Sequence, residues 1–130
     1  MQYPQLANAE LAVMDLLWEG GGLTARQVRE RLYPDADKAQ HGTVQRLLQR
    51  LEDKGFVERD RWVPVHVFTA KVYRDAYASS QLETLAEKLT GGSLAPLITH
   101  LVEQKRIAPA ELKRLRAVLD GAKQKGARKR

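Results

Sequence analysis

Apolar residues recur along this chain at two spacings, and the switches between them divide it into elements. Leu11, Val13, Met14, Leu17 and Trp18 cover a broad helical face that Asn8 can cap, with Glu10 placed at the positive end of the helix dipole. Gly20-Gly21-Gly22 ends that helix and reads as a flexible exit. Thr24 and Gln27 have the spacing of a capping box, and Val28 and Leu32 then stand one turn apart in a short charged helix stopped by Pro34. Val44, Leu47, Leu48 and Leu51 form a third stripe, closed by Gly55. The period then falls towards two. Phe56 to Trp62 and Val65 to Thr69 predict two short antiparallel strands, interrupted at Val63-Pro64. Helical spacing returns from Lys71 to Leu89, breaks at Gly91-Gly92, and resumes after Ser93, a potential cap, with Leu94, Leu97, Ile98, Leu101 and Val102. Pro109 fits the first turn of a last helix carrying Leu112, Leu115, Val118 and Leu119.

The polar side of the third stripe changes the picture. At ~100° per residue, the face opposite its leucines carries Gly42, Gln45, Arg46 and Gln49, flanked by Thr43 and Arg50. Arg can donate two hydrogen bonds to guanine, Gln can pair bidentately with adenine, and a Thr methyl can touch thymine. A solvated face on an ordinary core helix is the alternative for this stretch taken alone. Two helices, a polar-faced helix and a hairpin in that order predict a mainly α chain. The expected layout is a winged helix-turn-helix DNA-binding domain with a small antiparallel β wing over residues 1–70, followed by a helical dimerisation arm over 71–120. Tyr33 to Ala39 is longer than the tight turn of the simplest helix-turn-helix, which suits a winged relative. The candidate DNA contacts are His41, Thr43, Gln45, Arg46, Gln49, Arg50 and, on the wing, Arg61, with Arg59 and Trp62 near the hairpin. A plain hairpin with solvated charges would leave the same pattern.

Composition narrows the choices. A formal charge of +6 over 130 residues favours a polyanionic partner. Much of that charge sits in residues 121–130, a basic stretch without apolar period that is expected to be disordered, so the total overstates the basicity of the recognition face. The absence of cysteine excludes disulfides, thiolate metal sites and cysteine nucleophiles. His41, His66 and His100 fall in separate elements with no paired acid or nucleophile at a motif spacing. Nothing therefore supports an enzyme, a metal or a cofactor, and His66 is expected to be a water-exposed strand residue. Glycines 20–22 are not followed by Lys-Ser/Thr, which argues against a phosphate loop. There is no signal pattern and no run long enough to span a membrane, so a cytoplasmic protein without direct membrane association is expected.

Several blocks together resemble the BlaI/MecI penicillinase-repressor family. They are Ala9-Glu10-Leu11-Ala12-Val13-Met14 with Leu17-Trp18, Thr24-Ala25-Arg26-Gln27-Val28, and Thr43 to Leu51 with Lys54-Gly55 and Phe68. Leu89-Thr90-Gly91-Gly92-Ser93-Leu94 and the helix from Leu112 to Leu119 extend the likeness over nearly the whole chain. The resemblance implies a homodimeric winged-helix repressor that binds a palindromic operator in double-stranded DNA. It also implies a membrane sensor protease that can trigger cleavage of the C-terminal region. The family's Asn-Phe cleavage bond corresponds here to His100-Leu101, a departure that a selective protease need not accept. Some relatives sense copper through C-terminal cysteines, which this chain lacks.

The arm is too poor in aromatics to enclose a core of its own. Its stripes, with Leu82, Leu85, Leu89, Leu94, Leu97, Ile98, Leu101, Leu112, Leu115 and Leu119, predict a dimer surface, against the alternative of packing back on the winged domain. A winged helix that docks proteins instead of an operator remains the rival function.

Overall fold

The computed structural model describes the backbone of residues 2–35 and 38–128, and the side-chain surroundings of residues 2–35 and 39–122. Helix α1 (Asn8–Gly20) is followed by strand β1 (Leu23–Thr24) and helix α2 (Ala25–Leu32). A single 3₁₀ turn, Lys38–Gln40, leads into α3 (His41–Asp53), and the hairpin β2 (Val57–Asp60) and β3 (Val67–Ala70) follows. Helices α4 (Arg74–Thr90), α5 (Ala95–Glu103) and α6 (Pro109–Arg128) complete the chain. The sheet is antiparallel with order β1-β3-β2, and Phe68 pairs with Leu23 on one side and Arg59 on the other. Three helices backed by this sheet make a winged helix-turn-helix.

The stripes of α1, α2 and α3 meet in one core. Val13, Met14, Val28, Val44, Leu48, Leu51 and Phe56 have no exposed surface. Thr24 caps α2 reciprocally with Gln27: its hydroxyl accepts the Gln27 N–H at 3.2 Å, and the Gln27 carboxamide accepts the Thr24 N–H at 2.9 Å. Gly55, at φ 82°, supplies the left-handed residue that ends α3 and turns the chain into the wing.

At α1 the cap is displaced from expectation. The N-cap is Ala7, and Asn8 is already helical; the free Ala7 N–H is taken by the Glu10 carboxylate at 2.9 Å. That carboxylate is buried and also accepts from the Lys54 ammonium at 2.8 Å, tying α1 to the end of α3. Burial pushes the Glu10 carboxyl up, but the Lys54 hydrogen bond, the Ala7 N–H and the charges of Lys54 and Arg50 pull it down and win. A carboxylate with a lowered folded-state pKa stabilises the fold above its ordinary value of 4.5, and that contribution drains away as pH falls through the lower folded value. The stability gap between wild type and Glu10→Gln should therefore be widest at neutral pH and close on acidification. Thermal melts across the acid range check this, and a gap independent of pH would contradict it.

The triple glycine is more than a flexible exit. It feeds β1, a strand too short to register in the sequence pattern, and a Cβ at Gly22 would stand 2.8 Å from Val67 Cγ1. Glycine there lets the chain pass close over β3. The wing strands are also shorter than expected, because Arg61 to His66 form the connecting loop.

The chain divides into two compact units, Met1–Glu83 and Thr84–Arg130, so the first extends past the boundary expected at residue 70. The first half of α4 is part of it. Tyr77 and Ser80 are buried, and their hydroxyls accept the backbone N–H groups of Leu6 at 2.8 Å and Tyr3 at 2.9 Å. The Trp18 indole donates to the Val72 carbonyl at 2.9 Å. Residue periodicity placed α4 as a helix but could not show that its first turns complete another element's core.

In the second unit, Gly91 and Gly92 take positive φ after α4, as the break predicted. Helix α5 starts with Leu94 as N-cap and no side-chain cap, with Pro96 in its first turn, so Ser93 is not the cap expected. Helix α6 begins at Pro109 and continues to Arg128, through most of the stretch expected to be a disordered tail. Ala, Lys, Gln and Arg extend a helix already nucleated at little cost, Gly121 and Gly126 at about 1 kcal/mol each, and apolar periodicity is not required for that. Side-chain surroundings from residue 123 onward lie outside the described residues.

Candidate nucleic-acid interface

Burying Val44, Leu47, Leu48 and Leu51 turns the other side of α3 outward. Gln45, Arg46, Gln49 and Arg50 are exposed there, while His41 and Thr43, in the first turn, are half-buried. Among the described residues no ion pair holds Arg46 or Arg50. Beside α3 runs an open groove of about 540 Å³ that gathers Arg26 from α2, His41, Gln45 and Gln49 from α3, and Arg59 and His66 from the wing. The structure thus brings three of the expected contact residues to one groove with the wing, and leaves Arg46 and Arg50 outside its lining.

Arg59 has a different place from the one expected. Its guanidinium lies 3.3 Å from Glu52, donates to the Gln49 carboxamide at 3.2 Å, and stacks 4.7 Å from the Phe68 ring centroid. Only 17% of its side chain is exposed. It therefore fastens the wing to α3 and is not free for a phosphate. His66, expected to face water, is half-buried with Nδ1 3.5 Å from the same guanidinium. Gln49 is drawn into the network as well, donating to Asp53 at 2.9 Å and Glu52 at 3.3 Å.

Arg61 stands apart from this. Its contact with Glu52 is 3.7 Å long, and 64% of its side chain is exposed. A pair so long and wet contributes little and is easily exchanged for another anion. Glu52, the hub that joins Arg59, Arg61 and Gln49, escaped sequence reasoning because it lies beyond the polar face and its partners come from the folded hairpin. Arg26 on α2 pairs with Glu30 at 2.9 Å on an exposed surface.

No group of three or more His, Cys, Asp or Glu among the described residues is placed to hold a metal ion. No helix there is long and apolar enough to cross a membrane.

Comparison with known proteins adds an independent line. The family model described as penicillinase repressor matches residues 6–121. A transcriptional regulator BlaI of Mycobacterium tuberculosis is 35% identical over 117 residues, covering 88% of this chain and 83% of that protein. A penicillinase repressor of Bacillus licheniformis is 23% identical over 117 residues, covering 90% and 91%. Among solved structures, the DNA-binding domain of the repressor BlaI matches with a TM-score of 0.47 and 26% identity, over 59% of this chain and 94% of that one.

Proposed function

Since the chain belongs to the penicillinase repressor family, we propose that this transcriptional repressor binds a palindromic operator in double-stranded DNA as a homodimer. The observation that carries the DNA contact is the exposed polar face of α3, with Arg46 and Arg50 unpaired among the described residues, lying beside a wing fastened to the same helix. Gln45, Arg46 and Gln49 read base edges in the major groove, and Arg50 and Arg61 position the backbone. Gln49 does so by exchanging Glu52, Asp53 and Arg59 for a base, while His41 and Thr43 flank the contact at the helix start.

Arg46→Ala should cost about 1–3 kcal/mol on the cognate site and relax preference at one base pair, whereas Arg61→Ala should weaken all sequences alike. Titrations of both variants against operator and scrambled duplexes decide it. Equal affinity of wild type and Arg46→Ala would remove Arg46 from the reading set. A winged helix that docks only proteins would show no duplex binding with the steep salt dependence of phosphate contacts.

The homodimer rests on the second unit. Among its described residues, 84–122, only Ala86 is buried. Leu85, Leu89, Ile98, Leu101, Leu115 and Leu119 are exposed, as is Leu82 earlier on α4, while Leu94, Leu97 and Leu112 are half-buried. Helices without a core of their own need a partner surface, and a second copy offers the same stripes in return.

Release by a membrane sensor protease would act on this arm. The bond His100–Leu101 lies inside α5, where both carbonyls accept backbone N–H groups, from Gln104 and Arg106 at 3.0 Å each. Proteolysis there requires α5 to open first, and it would then divide the dimer surface. Cells treated with a cell-wall antibiotic should yield a repressor cut after His100, read by intact mass. An uncut chain with induced target genes would reject this release route.

A further inference from the structure

The wing tip carries an indole that nothing in the fold explains. Trp62 is 98% exposed, and its neighbours Val63 and Val65 are 37% and 61% exposed. The other tryptophan behaves oppositely: Trp18 is half-buried, with its N–H satisfied by Val72 and its ring beside Tyr77. A lone exposed apolar residue is ordinary, but a Trp-Val-Pro-Val tip on a hairpin is a contiguous apolar point. The backbone at the tip is also held, since Asp60 accepts the Trp62 N–H at 2.9 Å. The Arg59–Glu52 pair and the Arg59–Gln49 hydrogen bond fasten the hairpin to α3. The backbone that carries the indole is therefore held next to the exposed Arg61.

We propose that Trp62 is a DNA-contacting residue that packs into the minor groove, against the sugar edges, next to the major-groove contacts of α3. This rests on the operator-binding function proposed above and extends it to a residue and a groove. With α3 in the major groove, an element standing beside it meets the adjacent phosphate strand and the minor groove beyond. Arg61 meets that strand as a cation, and the apolar tip passes further in. Apolar wedges are what minor-groove proteins use at such a point, because the groove offers sugar faces and few distinguishing hydrogen-bond groups. The continuity of Trp62 with Arg61 and α3 favours duplex DNA over a lipid surface or a protein.

The test uses the full chain and a mixed-sequence duplex, since a sugar contact needs no cognate bases. Trp62→Ala should weaken binding about tenfold, on the scale of losing an aromatic contact to nucleic acid, and Trp62→Phe should recover most of it. The slope of log affinity against log salt should be unchanged in Trp62→Ala, because no counterion is released by an indole. In Arg61→Ala it should fall by about 1. The emission present in wild type and missing from Trp62→Phe should move to shorter wavelength when duplex is added. Wild-type affinity in Trp62→Ala, or unmoved Trp62 emission on bound duplex, would overturn the proposal and leave operator binding standing. A response to anionic vesicles with none to duplex would overturn it in favour of lipid. Failure of the wild type to bind any duplex would remove both this contact and the function on which it rests.

Discussion

A chain ending at Glu83 should fold, sediment as a monomer, and bind its operator roughly a hundred- to ten-thousand-fold more weakly than the full chain. The first unit keeps its whole core, from Leu6 to Tyr77, and the Ser80 hydroxyl that holds Tyr3. What it loses is the apolar surface of α5, α6 and the end of α4. One winged unit engages one half-site. A linked pair turns the second half-site into an intramolecular event, with an effective concentration set by the dimer geometry. The cut belongs after Glu83, because a cut at residue 70 would remove Tyr77 and Ser80 and damage the unit under test. A truncated chain that sediments as a dimer, or matches the affinity of the full chain, would refute the assignment of dimerisation to the arm.

Phe56→Ala should destabilise the winged unit by about 3–5 kcal/mol, a large share of the stability of a small domain. Phe56 is fully buried where three segments converge. Its ring meets Tyr3 edge-on at 5.8 Å and Tyr77 at 5.5 Å, and its carbonyl accepts the Lys71 N–H at 2.7 Å. Alanine would leave a cavity that the N-terminal segment, α4 and the wing could fill only by moving together. Urea unfolding followed by circular dichroism gives the value. A loss below about 1 kcal/mol would mean the site collapses freely and is not a junction of the fold.

Periodicity made the helices legible because their cores are one-sided: the leucines of α3 predict both its burial and the polar face left over. The Thr24–Gln27 cap was equally visible, since capping is local chemistry between residues three apart. Three of the misses share one cause. β1 is two residues long, Gly22 is needed for a close approach to Val67, and Arg59 is engaged by Glu52 and Phe68. Each depends on what folding brings beside it, and spacing along the chain carries no record of that. The position of Arg59 mattered most for function, because sequence alone placed it with the free cations of the wing. Arg61 and Trp62, two and three residues further on, are the ones the hairpin presents outward.

Sequence-specific operator binding by a dimer is decided by sequencing the genomic DNA recovered with this chain from cells. Enriched fragments should share an inverted repeat whose half-sites lie about 10 base pairs apart, or a multiple of that, centre to centre. Fragments without a common inverted repeat, or no enrichment over a control lacking the protein, would contradict it.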